Sequence, residues 1–137
     1  MKKYVIDSYA LIAFFEDEPG AEELEIILKS LMARKAKAYI SVINWGEIYY
    51  TTLREQGITA AETVIRQLTQ YPIEVVDANQ KLTYEAAKLK GKYRIAYADC
   101  FAAALSRRLG AEIVTGDPEF KKLEGECSIH WLESRSF

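Results

Sequence analysis

Short β-rich runs alternate with stretches of helical periodicity along almost the whole chain, and this alternation restricts the fold more than any single residue does. Tyr4-Val5-Ile6 opens the series. Ala38-Tyr39-Ile40-Ser41, Ile73-Glu74-Val75-Val76, Glu112-Ile113-Val114-Thr115 and Ser128-Ile129-His130-Trp131-Leu132 continue it. Strands joined through helices pair in parallel, because the crossover returns the chain to the edge from which it set out. The expected fold class is α/β: a single three-layer domain over residues 1–137, with a mostly parallel central sheet of four to five strands flanked by helices.

The helical stretches have legible ends. Ser8 is a candidate N-cap for residues 9–15, and Glu16-Asp17-Glu18-Pro19-Gly20 punctuates the chain after them. From residue 21 to about residue 36, Leu24, Ile27, Leu28, Leu31 and Met32 recur at helical spacing, and Arg34, Lys35 and Lys37 suit the negative end of that helix. Ser41 caps a helix that Gly57 stops, and Thr59-Ala60-Ala61-Glu62 reads as a capping box for the next, to about residue 70. A further helix opens over residues 77–80 and ends near Gly91. Ala98-Asp99 starts an alanine-rich helix that Gly110 stops, and Asp117-Pro118 matches a cap followed by a first-turn proline.

With 137 residues, half of them hydrophobic, the chain can bury one core without staples. Cys100 and Cys127 form no CxxC and no zinc spacing, and Cys100, in an apolar helix start, reads as an inert buried thiol. A formal charge of −2 disfavours a whole-surface nucleic-acid binder, so a polyanion must be held by a local patch or through bound metal. The basic start Met1-Lys2-Lys3 leads into an apolar run cut by Asp7, far short of a signal-peptide core, and no stretch approaches the roughly 20 apolar residues of a membrane span. A cytoplasmic protein with no membrane contact is expected.

Four acids stand at element junctions: Asp7 after the first strand, Glu47 in the helix after the second, Asp99 at a helix start and Asp117 after the fourth strand. In a parallel sheet, Asp7, Asp117 and the helix bearing Glu47 fall at one edge, the carboxyl ends of the strands, where ligands of open α/β sheets collect. Taken singly, Asp7 reads equally as a helix cap, Asp99 and Asp117 read as helix caps before ligands, and a mid-helix Glu reads as a solvated surface residue; jointly the functional reading gains. Glu47 nevertheless follows the apolar Val42-Ile43-Asn44-Trp45-Gly46, and Gly46 inside a helix suggests a close approach. Two carboxylates about 4 Å apart repel by roughly 4 kcal/mol at an effective dielectric near 20. A cluster of four therefore needs protons or a divalent cation, and oxygen ligands without His or Cys select Mg²⁺ or Mn²⁺.

Absences narrow the chemistry. His130 is the only histidine and sits in a late strand, so no pair of imidazoles is available for acid-base work. No GxxxxGK[ST], GxGxxG, GxSxG or HExxH occurs, and metal-assisted hydrolysis is what remains.

Val5-Ile6-Asp7-Ser8, Asn44-Trp45-Gly46-Glu47, Tyr97-Ala98-Asp99-Cys100 and Val114-Thr115-Gly116-Asp117 resemble, in order and over nearly the full chain, the motifs of PIN-domain nucleases, especially small VapC-type toxins. The resemblance implies a Mg²⁺- or Mn²⁺-dependent endoribonuclease, the toxin of a type II toxin-antitoxin pair, forming a homodimer and inhibited by a VapB-like antitoxin. It makes Asp7, Glu47, Asp99 and Asp117 the catalytic acids, with Asp7, Asp99 and Asp117 as metal ligands. Ser8, Asn44 and Thr115 then match positions that support the acids or contact metal and phosphate, and the RNA product carries a 5′-phosphate.

Less specific features fit beside it. Phe14, Phe15, Leu24 and Leu28 are candidates for an antitoxin groove or for the core, and Ile48, Tyr49, Tyr50 and Leu53 for a dimer face. Lys88, Lys90, Lys92 and Arg94 are either an RNA backbone patch or a solvated helix end. Two rival readings stand: a Mg²⁺-dependent phosphoacceptor or phosphatase domain using Asp7, and a PIN-like binding module without catalysis.

Overall fold

The computed structural model describes residues 1–132. Five strands, β1 (Lys2–Ile6), β2 (Ala36–Ser41), β3 (Ile73–Val76), β4 (Glu112–Thr115) and β5 (Ile129–Trp131), pair entirely in parallel in the order β3-β2-β1-β4-β5. Helices α1 (Ser8–Phe15) and α2 (Ala21–Met32) join β1 to β2, and α3 (Val42–Gln56) and α4 (Ile58–Leu68) join β2 to β3. Helices α5 (Gln80–Lys92) and α6 (Tyr97–Leu109) carry the chain back across the sheet to β4, and a 3₁₀ helix, Pro118–Leu123, leads to β5.

The period-two alternation of the strands divides the core into two halves. Val5 and Ile113 point to the side covered by α5, α6 and the 3₁₀ helix, where Leu82, Ala86, Phe101, Leu105, Phe120 and Leu123 are buried. Their neighbours Ile6 and Val114 point the other way, with Ala38 and Ile40, against Leu11, Leu24, Leu28, Leu31, Ile48 and Leu68 of α1 to α4. Handedness accounts for the division. Successive crossovers from β1 to β3 step towards one edge of the sheet and the later ones step the other way, so right-handed connections put the two helix sets on opposite faces. The reversal of strand order falls between β1 and β4, and it opens a crevice at their carboxyl ends.

Several local expectations are corrected. Asp7, not Ser8, caps α1: its Oδ1 accepts the Ala10 amide at 2.8 Å, and Ser8 is the first helical residue. Helix α2 ends at Met32, because Arg34 turns the chain at φ 60° and Ala36 already pairs with Lys2. Arg34 and Lys35 therefore lie beyond the helix, and Lys37 lies in β2. The capping box at Thr59 does not form. Gly57, at φ 92°, closes α3 and opens α4 without a side-chain cap, and the Glu62 carboxylate instead accepts the Tyr49 hydroxyl. Among the described residues, and apart from its chain neighbours and the backbone of its own helix, nothing lies within 4 Å of a Cβ built on Gly46, so no close approach from elsewhere in the described fold is seen there. Leu24, Leu28 and Ile48 are core residues rather than lining for a groove or a dimer face.

Candidate active site

Each acid reaches the crevice for a local reason. Strand β1 ends at Ile6 because Asp7, in extended conformation, turns its carboxylate onto the first amides of α1, while its own N–H continues the ladder to the Val114 carbonyl at 3.3 Å. Strand β4 ends at Thr115. The Thr115 hydroxyl accepts the Asp117 amide at 3.0 Å and donates to the Asp7 carboxylate, so one side chain ties the ends of β1 and β4 together. Asp117 caps the 3₁₀ helix, its Oδ1 accepting the Glu119 amide at 3.0 Å. Between them, Gly116 leaves space for the Tyr9 ring: a Cβ there would stand 3.0 Å from Tyr9 Cε1.

Asp99 and Glu47 come from helices that lean towards the same edge. Helix α6 opens at Tyr97 without a side-chain cap, so Asp99 in its first turn is not the cap. The fully buried Asn44 of α3 donates from Nδ2 to the Ala98 carbonyl at 3.3 Å, holding the start of α6 against α3. Its Oδ1 is buried with no partner among the described residues. One turn on, Glu47 accepts the hydroxyl of Ser8.

Burial and mutual repulsion set the charge of the group. Burial pushes the Asp7 carboxyl up to about 8 against the opposing hydrogen bonds from Thr115 and Ala10, with Asp99 and Asp117 adding repulsion. Asp99 is pushed up to about 7, by burial first and then by Asp117, Glu47 and Glu119. Among the described residues no Lys, Arg or His forms an ion pair with Asp7, Glu47, Asp99 or Asp117. Buried carboxylates are ordinarily paired or bound to metal, so this group is short of positive charge.

The donor set suits a hard divalent cation. Among the described residues no three His, Cys, Asp or Glu side chains stand close enough together to hold a metal ion between them. Oxygen donors without His or Cys fit Mg²⁺ or Mn²⁺ rather than zinc, and Mg²⁺ keeps several waters and takes one or two carboxylates together with substrate phosphates.

Beside the acids lies a cleft of about 430 Å³, lined by the acids Asp99, Asp117 and Glu119 together with Lys90, Tyr93 and Arg94. Glu119 was not singled out from the sequence. Its signal was its place two residues after Asp117, in the first turn of the same short helix. The four-residue basic cluster is not one patch: Lys88 pairs with Glu85 and Lys92 with Glu126, leaving Lys90 and Arg94 on the cleft. His130 lies 3.5 Å from Glu112 and edge-on to Tyr4, away from the acids, and Cys100 is fully buried with its thiol pushed up to about 11.

A parallel five-stranded sheet whose strand order reverses, with Asp7 and Asp117 at the strand ends flanking the reversal and Asp99 near them, defines an α/β domain with a candidate site of acids. The chain belongs to the PIN domain family, whose model matches residues 4–126. Among solved structures it is similar to VapBC2 from Rickettsia felis bound to a DNA fragment from their promoter, with TM-score 0.75 and 17% identity over 96% of this chain and 99% of that one. It is also similar to VapBC-1 from nontypeable Haemophilus influenzae, with TM-score 0.70 and 18% identity over 94% and 97%. A third is Mycobacterium tuberculosis VapC20, a sarcin-ricin loop cleaving toxin, with TM-score 0.64 and 18% identity over 86% and 92%. No curated protein matches.

Proposed function

We propose that this protein is a Mg²⁺- or Mn²⁺-dependent endoribonuclease, the toxin of a VapBC-like pair, acting in the cytoplasm. The observation that carries this reading is the group of acids at the β1–β4 crevice, with Asp7 and Asp99 buried and none of the four ion-paired with a cation among the described residues. Asp7, Asp99 and Asp117 would hold the cation, which when bound neutralises phosphate charge and activates water for attack on a phosphodiester. Thr115 and the Ala10 amide orient Asp7, Ser8 orients Glu47, and Asn44 fixes the start of α6 beside Asp99. Water attack on phosphorus with the 3′-oxygen as leaving group, the outcome the family resemblance implies, gives a 5′-phosphate on one product and a 3′-hydroxyl on the other.

The toxin-antitoxin part of the proposal is supported by the named complexes that share the fold. Half-buried Phe14 and Phe15 on α1 suit an antitoxin segment, and the exposed Tyr50 and Leu53 on α3 suit a second copy. No helix among the described residues is long and apolar enough to cross a membrane.

The test is cleavage of total RNA by purified protein with Mg²⁺ or Mn²⁺ and with EDTA, followed by mapping of the new ends. Asp7→Asn and Asp99→Asn are expected to fold normally and lose more than a hundredfold in activity. Undiminished cleavage by a carefully purified Asp7→Asn preparation would contradict the proposal. Incubation with acetyl phosphate is expected to leave the intact mass unchanged, whereas a phosphoacceptor domain would gain a covalent phosphate.

A further inference from the structure

We propose that Arg94 is a substrate-positioning residue that holds an RNA backbone phosphate adjacent to the one being hydrolysed; this rests on the ribonuclease reading above. Arg94 and Lys90 are the cations that line the same cleft as Asp99, Asp117 and Glu119. They are not equivalent. The Lys90 ammonium donates to the Ile95 carbonyl at 2.8 Å and so serves the corner between α5 and α6. The Arg94 side chain is exposed, and its guanidinium has no ion pair or hydrogen bond among the described residues, although three carboxylates line the same cleft.

The backbone under that side chain is held from both sides. Lys122 donates to the Arg94 carbonyl at 2.8 Å, the Tyr93 hydroxyl donates to Glu126 at 2.6 Å, and Lys90 secures Ile95. The mount is therefore defined while the charged fork is left available to an external anion. A chain of net charge −2 has no general attraction for RNA, and its acids repel phosphate, so an unspent guanidinium beside them is well placed to receive the strand. Its planar donors match phosphate oxygens in a way an ammonium does not.

The experiment compares wild type, Arg94→Gln, Arg94→Lys and Lys88→Ala on a labelled oligoribonucleotide in Mg²⁺, reading KM, kcat and the dependence of log KM on log salt. Arg94→Gln is expected to raise KM roughly tenfold with kcat nearly unchanged, and to flatten the salt slope by about 0.7, one single-strand phosphate contact. Arg94→Lys should recover part of both effects, and Lys88→Ala, whose ammonium is paired with Glu85, should match wild type. A thermal midpoint for Arg94→Gln equal to that of wild type separates loss of contact from loss of fold. Active wild type with an Arg94→Gln variant unchanged in KM and salt slope overturns this inference and leaves the ribonuclease reading standing. Wild type that neither binds nor cleaves RNA overturns both.

Discussion

Asp7 combines two roles that the sequence offered as alternatives: it caps α1 and stands among the acids of the crevice. A carboxylate needed for both is left buried, and its folded-state pKa of about 8 lies above its ordinary 3.8. Folding therefore binds a proton here. The associated stability is fully present below about pH 4 and is lost as pH rises through about 8. Asp99 acts in the same sense through about pH 7. Urea denaturation of metal-free protein is expected to show stability falling by several kcal/mol between pH 6 and 9. Asp7→Asn, which keeps the cap and cannot ionise, should flatten that decline. A metal-free stability that rises with pH over the same range would contradict the burial of an uncompensated Asp7.

Helix α6 shows how an element can be strong at one end and weak at the other. Its alanine-rich body, with Ala102, Ala103 and Ala104 buried, lies close against the sheet, and Gly110 closes it at φ 63° before the chain enters β4. A Cβ on Gly110 would meet nothing within 4 Å, so Gly110→Ala costs backbone strain alone, about 1 kcal/mol. Chemical denaturation should register that loss while activity per folded molecule stays unchanged. The opposite end has no side-chain cap and depends on Asn44 from α3 to hold Ala98. Glu126 fastens the far side of the same layer, bridging Lys92 of α5 and Arg107 of α6.

For the molecule as a whole, a divalent cation that binds only the folded state stabilises it by mass action, about 2.7 kcal/mol when the free ion exceeds its Kd by ~100-fold. Thermal unfolding of wild type is expected to shift upward with Mg²⁺ or Mn²⁺, more at pH 8 than at pH 6 because protons compete for Asp7 and Asp99. The shift should disappear in Asp99→Asn. An equal shift in that variant would place the ion elsewhere.

The order of elements, the parallel sheet and the acids at its edge were legible from the chain alone, because hydrophobic period and turn chemistry are properties of neighbouring residues. Only the tertiary structure decided which partner each side chain takes. Ser8 gives its hydroxyl to Glu47, 39 residues away, and leaves the cap to Asp7; Asn44 reaches Ala98 across 54 residues; Leu24, Leu28 and Ile48 disappear into the core. In the basic cluster, Lys88 and Lys92 find acids while Arg94 finds none among the described residues. Burial and pairing depend on what the fold brings from far along the chain, and no local pattern carries that information.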